Sequence, residues 1–154
     1  MVDVYLPDFK YGNDNDAMMY SGVKDYVCNA VASIWEMARQ VGNALEDDRG
    51  IATRGLIIRH LVLPGKISSS MDVLSLIKTH VSAAVPLSLM SQYTPVAPVR
   101  NHPLLGRRIT RGEYEQVVNA ALDMGFETIF TQDVDERALP PDFERDDPFN
   151  WPRV

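Results

Sequence analysis

Three short stretches carry groups able to bind a charged ligand. Asp8-x-Lys10 sets a carboxylate and an ammonium two residues apart. On an extended segment such residues share a face. Side by side they suit a zwitterionic or polyol ligand, and equally an ordinary ion pair. Arg59-His60 interrupts the apolar run GLIIRHLVLPG (55–65). Neighbours on a strand point to opposite faces, so one of the two faces away from the other. An arginine among leucines and isoleucines is costly to bury unless paired. That makes Arg59 the more informative residue, with an acid such as Asp8 as its structural partner. His60 reads as a satisfied core or helix-facing histidine. Ser91-Gln92-Tyr93 offers amide and phenol groups, or simply a polar strand end with a packed tyrosine ring. Arg107-Arg108 reads as a solvated pair before a helix. Cys28 is the sole cysteine, and one thiol forms neither an internal disulfide nor a multi-cysteine metal site. The chain has no phosphate-cradling glycine loop, zincin motif or defensible Ser/His/Asp set.

The elements that position these groups alternate between strand and helix. Residues 2–10 read as a strand with Pro7 late in it, where a missing N–H is tolerated. Residues 11–16 (YGNDND) read as a loop. Residues 24–41 read as a helix, with Val27, Ala30, Val31, Ile34, Ala38 and Val41 at helical spacing and Gly42 at its end. Residues 43–50 are a polar turn. The run 55–65 suits a parallel strand covered on both faces. Ser68–Ser70 open a helix with Val73, Leu74, Ile77 and Val81 on one face, and 85–91 form a third strand. Pro95, Pro98 and Pro103 make 92–108 a loop. Thr110-x-x-Glu113 is a capping box before Tyr114, Val117, Val118, Ala121 and Leu122, with Gly125 closing the helix. Residues 126–131 are a short last strand. The methionines are scattered and read as core filling.

This β-α-β-α-β-α-β order implies parallel βαβ units with right-handed crossovers. At 154 residues the chain is shorter than a full (β/α)₈ barrel, which takes roughly 200 or more. A small open sheet or a barrel segment remains, over residues 1–132. The part from 133 to 154, with Pro140, Pro141, Pro148 and Pro152, reads as an extended tail. The alternation VDVYL directly after Met1 suits a whole protein that opens on a strand, and equally a chain cut inside a larger domain. A net charge of −6 argues against nucleic-acid or anionic-membrane partners driven by bulk charge. No apolar run approaches the ~20 residues that span a bilayer, and there is no secretory leader pattern. The expected location is cytoplasmic.

Several longer strings go further. VDVYLPDFKY (2–11), Tyr20–Val23 with Asp25-Tyr26, RGLIIRHLVLPG (54–65), SLMSQYTP (88–95) and RRITRGEYE (107–115) together resemble the C-terminal half of radical S-adenosylmethionine (SAM) proteins. The nearest branch is that of homologues of the pyruvate formate-lyase activating enzyme. The resemblance runs from about residue 2 to 149. It implies a partial (β/α)₆ barrel of which this chain supplies strands four to six. It implies a parent oxidoreductase that reductively cleaves SAM, bound to a [4Fe–4S] cluster, to a 5′-deoxyadenosyl radical. In activases that radical takes a hydrogen from a glycine of a partner enzyme. The cluster is held by C-x₃-C-x₂-C, which this sequence lacks, so no cluster is expected on this chain and it is expected to be inactive alone. The resemblance assigns Asp8, Lys10 and Arg59 to the SAM side. At the end of strand six, where activases place a histidine, Tyr93 stands here. Two other expectations remain: a non-enzymatic binding module, or a subunit completed by a separate cluster-bearing chain. A half-barrel leaves a strand edge unpaired, so self-association is expected as well.

Overall fold

A computed structural model of the chain describes residues 2–134; the tail expected from residue 133 falls outside these residues from 135 onward. The order is β1 (Val4–Tyr5), α1 (Asp14–Ser21), α2 (Tyr26–Val41), β2 (Leu45–Glu46), β3 (Ala52–Leu56), β4 (Ile58–Leu61), α3 (Ile67–His80), β5 (Leu87–Met90), a 3₁₀ turn (Ala97–Val99), α4 (Arg111–Asp123) and β6 (Ile129–Phe130). The fold is α/β, with one mixed and one wholly parallel sheet among the described residues.

Two three-stranded sheets, β1-β3-β2 and β4-β5-β6, share one chain. Only Ile57 separates β3 from β4. Its N–H donates to Tyr5 O at 3.0 Å, Arg59 N–H donates to Pro7 O at 2.9 Å, and Phe9 N–H donates to Arg59 O at 2.8 Å. Residues 4–9 therefore run parallel beside 55–60, with Asp8 opposite Arg59. β4 pairs in parallel with β5, and β5 with β6. Pro7 explains why β1 breaks after Tyr5. In a parallel ladder one residue's N–H and C=O point the same way, so Pro7 withholds a donor from the Ile57 side. The N–H and C=O of Leu6 and Asp8 point to the opposite, outer edge.

The two faces of this layer differ. The register brings Phe9, His60 and Leu89 onto one face, with Ile58 and Leu87 beside them. Against it pack Ile34 and Val41 of α2, Val73, Leu74 and Ile77 of α3, and Tyr114, Val117 and Ala121 of α4, all buried. The helical periodicity anticipated for these three helices thus marks the faces that build the core. The opposite face carries Leu6, Asp8, Ile57, Arg59, Leu61, Ser88 and Phe130, none of them buried. Leu6 is 51% exposed and Phe130 48%. Of the described strand residues on this face, Gly55 and Met90 are buried. The expectation of cover on both faces of 55–65 is corrected: helices cover one.

Other expectations also change. The loop at 11–16 gives way at Asp14 to α1. Its N-cap Asn13 accepts from Asp16 N–H, and Gly22 ends it with a left-handed φ of 65°. α2 has no side-chain bond from its own N-cap, Asp25; Asp14 of α1 supplies one, accepting Val27 N–H at 2.9 Å. The polar turn at 43–50 contains β2, antiparallel to β3, which breaks the all-parallel expectation. Met18 and Met19 are exposed rather than core-filling, and Leu122 is exposed on α4. The Thr110–Glu113 capping box forms as read, both of its bonds present. Among the described residues no helix is long and apolar enough to cross a membrane.

Candidate ligand-binding site

Asp8, Lys10 and Arg59 come together on this exposed face, Asp8 and Lys10 beyond the end of β1 and Arg59 at the second residue of β4. The parallel register sets Asp8 directly opposite Arg59. Both Nε and Nη2 of Arg59 reach Asp8 Oδ1, each at 2.8 Å. Oδ2 is left on the side of Lys10, whose Nζ stands 3.9 Å away. The arginine and aspartate side chains are 41% and 32% exposed, so the pair is wet and its desolvation cost small. Chemically the trio is a carboxylate with one open oxygen between two cations. It can take an ammonium on Oδ2 and a carboxylate on Lys10 and the remaining guanidinium N–H groups, the complement of an amino-acid zwitterion.

The backbone beneath these side chains is tightly held. Phe9 is 1% exposed, and its ring meets that of Tyr26 at 6.2 Å between centroids. The Tyr26 hydroxyl accepts Lys10 N–H at 2.8 Å, and burial pushes its pKa up. Gly12 N–H donates to Ser69 Oγ at 3.1 Å. At Gly12 a side chain would strike the backbone of Ser69 and the Cβ of Asp72, so only glycine lets this loop lie on the start of α3.

Tyr93 is not part of the trio. Its hydroxyl donates to Leu105 O at 2.8 Å. Burial, and secondarily the neighbouring Tyr11, push its pKa up. Among the described residues no hydrogen bond links it to Asp8, Lys10 or Arg59. Arg107 is engaged bidentately by Glu113 at 2.7 Å rather than being simply solvated.

Sequence reasoning missed a second pair at the same end of the sheet. Lys66, just after the β4 exit turn, places Nζ 2.7 Å from Asp16 Oδ1 and 5.2 Å from the centroid of the Tyr20 ring. Burial raises the Asp16 pKa, but the hydrogen bonds from Lys66 and Asn13 outweigh it and hold the carboxyl below its ordinary value. The Asp16 hydrogen bond raises Lys66. Tyr11 and Ser21 share a 2.7 Å hydroxyl bond. These contacts fasten α1 to the mouth of the sheet. Their only sequence signal was the Tyr20–Val23 string, which carried a resemblance but no role.

No protein-family profile matches the chain, and no solved structure matches it. An uncharacterised protein of Methanocaldococcus jannaschii is 28% identical over 131 residues, covering 84% of this chain. That alignment takes in 34% of the archaeal protein, so the chain spans about a third of the length of the curated relative it matches.

Proposed function

We propose that this chain is the SAM-facing wall of a radical SAM oxidoreductase of the activase type, equivalent to strands four to six of a partial (β/α)₆ barrel. The observation that carries the reading is the Asp8–Arg59 pair with Lys10, standing on the sheet face that, among the described residues, no helix covers. In a barrel that face would be the lumen, and ligands gather at the C-terminal strand ends. The donor set fits the methionyl end of SAM: Arg59 and Lys10 would hold its carboxylate and Asp8 its ammonium. The cluster does not fit this chain. Cys28 is exposed on α2 beside a groove between α2 and α3, on the helix side of the sheet. In the complete protein the cluster and SAM would supply reductive cleavage for hydrogen abstraction, from a glycine of a protein partner in the activase case. The residues of this chain bind, orient and screen the ligand; they move no electron.

A second reading, a subunit completed by a separate cluster-bearing chain, is favoured by the outer edge of β1, which pairs with no strand among the described residues. Co-purification with a cysteine-bearing partner would support it.

The direct test is an NMR titration of the chain with SAM. The amides of residues 8–11 and 59–61 are expected to move, and Asp8→Ala to weaken the response by about tenfold or more. Shifts confined elsewhere, or none, would overturn the reading. A stoichiometric [4Fe–4S] cluster on this chain after anaerobic reconstitution would equally overturn the assignment of the cluster to other residues.

A further inference from the structure

His60 is buried and satisfied, as its sequence context suggests, but its contacts give it a defined task. Arg59 and His60 are neighbours that point to opposite faces, and each grips the strand alongside. On the open face Arg59 holds the Asp8 carboxylate. On the helix face the His60 ring lies 2.7 Å by Nδ1 from Phe9 O and 2.9 Å by Nε2 from Ser70 Oγ. A carbonyl oxygen only accepts, so Nδ1 carries the proton and Nε2 accepts from the Ser70 hydroxyl. Burial pushes the ring's pKa down to about 4, which keeps it neutral and leaves one proton for two nitrogens. Phe9 lies between Asp8 and Lys10, and both its N–H and its C=O are held, by Arg59 O and by His60.

We infer that His60 is a positioning residue for the ligand site, fixing the Asp8–Lys10 backbone through Phe9 O, which selects the Nδ1–H tautomer, while the Ser70 hydroxyl braces Nε2. This rests on the reading of Asp8, Lys10 and Arg59 as a binding site, but the backbone part stands apart from it. The logic is that of a hydrogen-bonded support that orients groups it does not itself replace. Ser69 and Ser70 then act together: adjacent residues at the start of α3, one holding Gly12 N–H and the other the His60 ring.

The test uses the full chain. Imidazole ¹⁵N shifts at neutral pH are expected to give the Nδ1–H tautomer; an Nε2–H tautomer or an imidazolium overturns the inference. His60→Asn keeps an amide donor near the Nδ1 position, whereas His60→Leu removes it. Amide hydrogen exchange at Phe9 and Lys10 is expected to rise about tenfold in His60→Leu and to stay within about twofold of wild type in His60→Asn. Equal exchange in both variants and wild type overturns the inference. Should His60→Leu fail to fold, Ser70→Ala, which removes the bond to Nε2 and loosens the ring, is expected to raise exchange at the same two amides; unchanged exchange there overturns the inference. SAM titration separates the two claims. Weaker binding in His60→Leu that His60→Asn restores supports both. No binding to wild type, with the exchange pattern intact, removes the ligand reading and leaves the support of the strand end standing.

Discussion

The two faces of one sheet have been given opposite problems. On the helix side, among the described residues, the buried polar side chains are answered in a dry setting: His60 between Phe9 O and Ser70, and the Tyr114 hydroxyl donating to Leu89 O at 2.6 Å. On the other side the ion pair Asp8–Arg59 stands in water among half-exposed leucine and isoleucine side chains. The first arrangement is that of a folding core. The second contributes little to stability, because exposed pairs are worth roughly 0–1 kcal/mol.

If this contrast holds, substitutions should separate cleanly by face. Leu89→Ala, on the covered side at 0% exposure, should lose about 3–4 kcal/mol in denaturant unfolding. Acid should attack the covered face next. His60 has an ordinary pKa of 6.5 and a folded one of about 4. The unfolded chain therefore binds more protons between those values. Stability is full above about pH 6.5 and should fall by up to about 3 kcal/mol as the pH drops toward 4. His60→Asn should flatten that slope in pH-dependent thermal unfolding. Below this window the carboxyls of Glu113, held down first by Arg107, and Asp16 lose their contributions as they protonate. Thr110→Ala removes the α4 cap and should cost about 1 kcal/mol. Asp8→Ala, on the open face, should change the unfolding free energy by less than about 0.5 kcal/mol while weakening SAM binding. A large loss of stability from Asp8→Ala would mean that the pair is a structural strut and break the comparison. The exposed apolar groups of this face, Leu6 among them, and a β1 edge with no partner strand among the described residues should also produce self-association, reduced by Leu6→Lys. Light scattering that finds a strict monomer at micromolar concentration would remove that part.

The helices α2, α3 and α4 were legible because each has to bury a stripe, and a stripe writes a period into the sequence. The Thr110 capping box was legible because it is local. α1 was not: DNDAMMYS has no apolar period, and Met18 and Met19 face solvent. It is held instead by Asn13, Asp14 and the distant Lys66. β2 was hidden for a similar reason, since Leu45 and Glu46 are both exposed. At the site, Asp8, Lys10 and Arg59 could be grouped because strand ends of a parallel sheet converge. Tyr93 could not be oriented from its position alone. Its hydroxyl goes to Leu105, in the proline-bearing loop whose path no periodicity records.

The Arg59-His60 neighbours also act as a check on strand alignment. A slip of β4 by one residue would exchange every side chain between faces. The guanidinium would then enter the layer beside Leu87 and Leu89 without an acid, and the imidazole would lose both of its partners. Slipped pairings of an otherwise permissive apolar run are thereby penalised at a single dipeptide, so the chain reaches one alignment where its leucines and isoleucines alone would tolerate two.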